Sequence, residues 1–241
     1  MVLKLAYIGL TMVTILFLVF IGFKAINESS RSSKRDKIKL ILGLLLWQIF
    51  ILLVASTDIL KSYEFPPLFV ITFIIPSFIF TGVFLYLNRN KKWIQSIPEH
   101  WIIYFQSFRI LVELLFVFSV AQGIFNPQVT IEGYNFDMVF AFTAPIIAFL
   151  TYSKKIITRK VVLIWNYLGL TVIASIIFLF QTTIYKPEIF GSEVPLLPLE
   201  ALTYPYILIA AFLMPTAVFL HILSILQIKK TKSVANTVYS K

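Results

Sequence analysis

The chain has 241 residues, of which 59% are hydrophobic and 13% charged, about half the charged fraction of a soluble domain. A mean hydropathy of +0.89 places it among membrane proteins. It has no cysteine, which excludes disulfides, thiolate metal sites and a cysteine nucleophile. Its two histidines, His100 and His221, are too few for a histidine-rich metal centre.

Crossing roughly 30 Å of bilayer hydrocarbon takes about 20 apolar residues. Seven runs approach that length, at about residues 3–24, 38–60, 66–88, 101–123, 136–153, 160–182 and 203–227, each set off by a polar or charged segment. They predict an all-α membrane protein: one transmembrane domain over residues 1–241 with seven transmembrane helices. Strand-type alternation is absent, which argues against a β-barrel. The first run follows Met1-Val2-Leu3-Lys4 without a small-residue cleavage site, so it reads as a retained helix and not as a signal peptide.

The net charge of +10 is unevenly spread. The segment Lys24 to Lys39 carries six Lys and Arg, Arg89 to Lys92 three, Lys154 to Lys160 four and the tail from Lys229 to Lys241 four. These 17 of 21 fall on alternate connections, against Lys4, Lys61 and Lys186 on the other side and Arg109 inside a span. Positive residues accumulate on the cytoplasmic side, so the N-terminus is expected outside and the C-terminus in the cytoplasm. Asp58, Glu64, Glu132, Asp137, Glu188, Glu193 and Glu200 then make the outer face acidic. Basic runs of this kind orient helices and meet anionic lipid. Membrane lipids are therefore the expected partner, and nucleic acid is not.

The third and seventh spans align without gaps. Phe65-Pro66 matches Tyr204-Pro205, Phe73-Ile74-Ile75-Pro76-Ser77 matches Phe212-Leu213-Met214-Pro215-Thr216, and Phe80 matches Phe219. Leu46-Trp47-Gln48 of the second span pairs more weakly with Ile164-Trp165-Asn166 of the sixth. Spans 1–3 and 5–7 thus read as two parallel copies of a three-helix unit, with span 4 as linker. This 3+1+3 plan is similar to that of the SWEET and PQ-loop transporters, although their Pro-Gln signature belongs in the first helix of each repeat and is missing there. Pro76 and Pro215 each remove a backbone hydrogen bond inside a helix, which predicts a paired break, as ordinary bending or as the lining of a cavity.

Span 4 carries Gln106, Arg109 and Glu113, whose spacing puts them on one helical stripe. A charge at the centre of a membrane helix costs about 2.5–3.5 kcal/mol, so Arg109 and Glu113 are expected to pair or to face water. Either the pair fixes packing, or it lines a polar cavity that holds a small-molecule ligand. Gln48, Asn166 and His221 lie at compatible depths in spans 2, 6 and 7 and complete the candidate cavity set. The outer segment Glu132-Gly133-Tyr134-Asn135-Phe136-Asp137 pairs carboxylates with a turn. It reads first as a helix cap through Asn135 or Asp137, and second as a cation-binding gate.

No catalytic or phosphate-binding motif appears in the sequence, and nothing specifies a cofactor, a metal or an oligomer. Gln106-Ser107-Phe108-Arg109 with Glu113, the 132–137 segment, Thr143-Ala144-Pro145 and Trp165-Asn166 together resemble a group of uncharacterised small bacterial seven-helix membrane proteins. That resemblance covers most of the chain. It implies the topology and a bacterial cytoplasmic membrane but carries no function. Three readings follow from the residues. The first is a small-solute permease, the second a ligand-sensing or accessory protein that binds a lipid, quinone or partner subunit, and the third an intramembrane enzyme using Glu113 or His221 as base.

Overall fold

A computed structural model of the protein describes residues 1–29 and 33–239, with side chains for 1–28 and 33–230. Arg31, Lys241 and the Lys232 side chain, all part of the basic runs, lie outside the described residues. The described residues form helices joined by turns and irregular connections, without a strand. Six helices are long and apolar enough to cross a membrane, which makes this an integral, multi-pass membrane protein. They are α1 (Val2–Ser29), α2 (Ser33–Ser56), α3 (Val70–Asn88), α4 (Glu99–Ala121), α6 (Arg159–Tyr185) and α7, whose apolar part is Ile209–Lys230.

The fifth run departs from the expected seven equal spans. Helix α5 (Asp137–Ser153) is a 12-residue α-helix ending in a five-residue π-turn, about 25 Å long at 1.5 Å per residue and short of the roughly 30 Å of hydrocarbon. The chain before it does not stay at the end of the bundle. It folds inward, so α5 begins where Asp137 already meets Arg109 of α4. The other helix ends shift for local reasons. Helix α2 stops at Ser56 and not at residue 60, where a 3₁₀ turn (Asp58–Leu60) takes over. Helix α3 runs from Val70 and not from residue 66: the chain bends at Phe65–Pro66, and the Pro67 carbonyl accepts the first N–H groups, of Val70 (3.0 Å) and Ile71 (3.3 Å). The last span starts at Ile209 rather than residue 203, after turns around Pro205.

Burial sorts the helices into a centre and a rim. In α7, 67% of the most apolar window is buried, against 11% in α2. Leu213, Leu220, Leu223 and Ile228 of α7 are fully enclosed, while Leu42, Leu45, Leu46, Leu52 and Leu53 of α2 are exposed. With no apolar partner inside the protein, that outer leucine face suits lipid, which is as apolar as leucine itself. The central α7 packs on α6, α3 and α4.

The connections gather at two ends. At one, the Tyr63 hydroxyl donates to the Leu197 carbonyl at 2.8 Å and the Tyr185 hydroxyl to the Glu64 carbonyl at 3.0 Å. At the other, Gln227 Nε2 donates to the carbonyls of Ile94 (2.6 Å) and Ile97 (2.8 Å), and Lys230 Nζ to that of Lys91 (3.2 Å). There Glu99 also accepts from the Tyr152 hydroxyl at 2.9 Å and pairs with Arg159 at 3.2 Å. The first end holds the acidic connections and the second the basic ones.

The paired prolines act through widened turns. A π-turn occupies Val70–Ile74 just before Pro76, and another occupies Ile209–Leu213 just before Pro215. These are matched positions in the two aligned spans, and the two turns pack against each other. In a regular helix Pro215 would have to donate to the Ala211 carbonyl, and proline has no N–H to give. The indole Nε1–H of Trp47 donates to that carbonyl instead, at 3.0 Å. Trp47→Phe is therefore expected to cost about 1–3 kcal/mol, read as a lower melting temperature in detergent. Adding Pro215→Ala, which restores a backbone donor, is expected to recover part of that loss.

Candidate functional site

The site grows from a tightening in α4. At Gln106–Ser107 the helix passes through 3₁₀-type bonds, among them Gln106 N–H to the Ile103 carbonyl (3.1 Å), Arg109 N–H to the Gln106 carbonyl (3.3 Å) and Ile110 N–H to the Ser107 carbonyl (3.0 Å). Side chains around such a turn sit closer together than on an α-helix. Gln106 is fully buried and its Nε2 donates to the Ala217 carbonyl of α7 at 3.3 Å. Arg109, only 3% exposed, donates from Nε to the Gln106 carbonyl at 3.3 Å.

Of the two expectations for Arg109 and Glu113, a mutual pair or a place facing water, the mutual pair does not form. Arg109 Nη1 binds Asp137 Oδ1 at 2.8 Å, joining the middle of α4 to the first residue of α5. Glu113, also buried, turns to the inward-folded segment. Its Oε1 accepts from the Ile131 backbone N–H at 2.6 Å, and its Oε2 from Asn135 Nδ2 at a long 3.5 Å. A buried carboxylate needs hydrogen-bond donors around it, and here the inward-folded segment supplies a backbone N–H and a side-chain amide.

Asn135 is the hinge of this arrangement. Its Oδ1 accepts from the Asp137 N–H at 3.0 Å, capping α5, and its Nδ2 donates to the Val129 carbonyl at 3.0 Å. Asn135 thus takes the first free N–H of α5 from one residue ahead of the N-cap, Phe136, which makes no side-chain cap bond, while Asp137 reaches across to the arginine and Glu132 stays exposed. Gly133 lets the loop close on itself. A Cβ there would stand 2.5 Å from the Gln128 backbone, too close for any other residue without a shift of the main chain.

Next to these groups is a cavity of about 80 Å³. Its polar wall is Arg109, Glu113, Asn135, Asp137 and Gln181; the rest is apolar, from Phe108 and Phe116 of α4, Ile173 and Ile177 of α6, and Leu197 and Leu202 of the 186–208 connection. Ile74, Ile209 and Leu213 bring both π-turns to the same wall. Two donors on lining residues, Arg109 Nη2 and Gln181 Nε2, are shut off from solvent and have no hydrogen-bond partner.

Gln48, Gln106, Asn166 and His221 do not line this cavity. His221 and Asn166 form a separate buried cluster between α6 and α7. His221 Nδ1 lies 2.9 Å from Asn166 Oδ1, and Asn166 Nδ2 donates to Ser224 Oγ at 3.0 Å and to the Val162 carbonyl at 2.8 Å. The Asn166 oxygen can only accept, so His221 Nδ1 carries a hydrogen and Nε2, without a partner, is an acceptor. Gly169 makes the close approach possible, since a Cβ there would sit 2.4 Å from the His221 ring. Gln48 is half-buried on α2 with its Nε2 unpartnered. Among the described residues no three His, Asp or Glu side chains converge as metal ligands.

Sequence reasoning missed Gln181, Ser224 and the Ile131 N–H. The first two are single polar residues in apolar helices, the signal already used for Asn166; a backbone donor leaves no trace in residue type. No protein-family model matches the chain, and no curated protein and no solved structure is significantly similar to it.

Glu113→Ala strips the Ile131 N–H of its acceptor, an expected cost of about 1–3 kcal/mol. Faster amide hydrogen exchange across residues 128–136 would report it. Gly169→Ala is expected to destabilise by displacing His221, with a fall in melting temperature that His221→Ala in the same chain partly reverses.

Proposed function

We propose that this chain is a ligand-sensing or accessory protein of a bacterial cytoplasmic membrane, which holds a small, mainly apolar ligand in the cavity beside Arg109 and Asp137. One observation carries this reading: a mainly apolar cavity whose wall includes the buried Arg109–Asp137 ion pair. Ligand sites are mostly apolar concavities with a few convergent polar groups.

The permease reading comes second. It is favoured by the matched π-turns, which border the cavity and touch one another; paired helix breaks at a repeat interface are where alternating-access carriers bind their cargo. Against it, the polar residues of the basic half, His221 and Asn166, belong to a separate cluster and offer no continuation of the cavity. An intramembrane enzyme is third, because His221 is bound to Asn166 and does not share a cavity with Glu113.

In this reading the chain crosses the membrane seven times on a 3+1+3 plan, with α5 as the short crossing, the acidic end outside and the basic end in the cytoplasm. The chain has no native cysteine, so single cysteines report topology cleanly. Glu193→Cys is expected to react with a membrane-impermeant maleimide in intact cells and Asn90→Cys only after lysis; the reverse pattern would invert the orientation.

Filling the cavity tests the function. Ala210→Phe places a ring among the lining residues and is expected to abolish co-purification of a small lipid-soluble molecule, seen by native mass spectrometry of the wild-type protein. Reconstituted protein is expected not to move amines, carboxylic acids or protons across liposomes. Rapid flux that Ala210→Phe stops would replace this reading with the permease.

A further inference from the structure

We propose that the open aromatic groove between α1 and α4, at the basic end of the bundle, holds an acyl chain of an anionic phospholipid whose phosphate meets Lys24. This site is separate from the cavity beside Arg109 and stands or falls without it.

The groove is built by two helices. Phe17 and Phe20 of α1 face Trp101, Tyr104 and Phe105 of α4 around about 390 Å³ of open space. Spacings of three and four residues place each set on one stripe of its helix. The Phe17 and Phe105 rings stack with centres 3.6 Å apart, and Phe20 lies 5.2 Å from Trp101. Phe20 is 55% exposed and Tyr104 37%. The groove therefore opens on the outside of the bundle, where an integral membrane protein meets lipid. All five walls are aromatic, and aromatic walls offer an alkyl chain large apolar contact.

The mouth of the groove is basic. Lys24 follows Phe20 by one turn on the same stripe of α1, and its Nζ stands 5.8 Å from the centre of the Trp101 ring. A lysine near a helix end lays its stem on apolar surface and keeps its ammonium at head-group level. Tryptophan and tyrosine collect at that level too. From Lys24 to Phe17 is about 10 Å along the helix, at 1.5 Å per residue. A phosphate held at Lys24 thus sends its chain down between the aromatic walls.

Charge selects the occupant. Among the described residues Lys24 makes no ion pair. Glu28, four residues on, is exposed and not within ion-pair distance of it. Glu99, at the start of α4, is taken by Arg159 and Tyr152. Lys37 of α2, 5.2 Å from the Phe23 ring, adds a second positive charge at the same end of α1. A head group of net negative charge answers both lysines, whereas a zwitterionic one brings a cation of its own to a basic surface. A second copy of this chain is the poorer occupant. Copies in one membrane share their orientation, so it would bring its own Lys24 and Lys37 to the same level.

The test is native mass spectrometry of the delipidated full chain in detergent, titrated with phosphatidylglycerol or phosphatidylcholine carrying identical oleoyl chains. Phosphatidylglycerol is expected to bind at least about fivefold more tightly. Lys24→Gln is expected to weaken it about fivefold, the share of one basic residue at an anionic surface, and to change phosphatidylcholine less than about twofold. Lys24→Arg is expected to keep the preference. Phe20→Ala is expected to weaken both lipids at least about twofold, through lost packing on the chain. Lys160→Gln, an exposed change elsewhere on the basic end, is expected to leave both unchanged. Equal binding of the two lipids, an effect of Lys160→Gln as large as that of Lys24→Gln, indifference to Phe20→Ala, or no binding at all overturns the assignment.

Discussion

A guanidinium buried among apolar helices has to find a carboxylate, and in this protein the one it finds is on another element. Arg109 lies in the middle of α4 at 3% exposure, where an isolated charge is costly. Its pairing with Asp137 holds the start of α5 deep in the bundle. That position draws residues 124–136 inward, brings the Ile131 N–H and Asn135 to Glu113, and leaves α5 too short to match its neighbours. A buried pair of this kind contributes little to stability compared with an apolar replacement, yet removing one partner is severe. Its role here is positional: it decides where the inward-folded segment sits and which atoms face the cavity.

The central helix complements that anchor. Helix α7 is enclosed by α3, α4 and α6, and its carbonyls are read by side chains from several directions. Trp47 donates to Ala211 and Gln106 to Ala217. Both bonds reach a stretch of helix disturbed by Pro215, where the regular ladder is interrupted. The matched turn before Pro76 packs directly against the one before Pro215. A widened turn is one way for a helix to accommodate a residue that has no N–H to give.

Much of this was legible in the residues, for reasons of chemistry. Hydropathy and length reveal the long helices, because the bilayer imposes a minimum span. The prolines at 76 and 215 mark the discontinuities, because a missing N–H is a property of the residue itself. Their π form was not legible, since the chain can answer a lost hydrogen bond by bending or by widening. Arg109 and Glu113 stood out as charges on one stripe of an apolar helix, which left a mutual pair or a place facing water open. What decided otherwise was a backbone donor and a carboxylate brought in by a loop, and neither leaves a local pattern. The gathering of His221 and Asn166 with the charged residues failed because Gly169 lets His221 press against α6, closing a cluster of its own. Depth along a helix indicates which residues share a layer, not which face each one turns to.

The arginine's choice of partner is directly measurable by double-mutant cycles on melting free energy, with Arg109→Met combined in turn with Asp137→Leu and with Glu113→Leu. If Arg109 is anchored as described, the first pair shows a coupling of about 1–3 kcal/mol, within the range found for residues in contact, and the double variant is far less damaged than the two single losses imply. The second pair is then close to additive, within about 0.5 kcal/mol. Strong coupling of Arg109 to Glu113 with none to Asp137 would contradict the arrangement, and with it the inward fold of residues 124–136 and the cavity that fold creates.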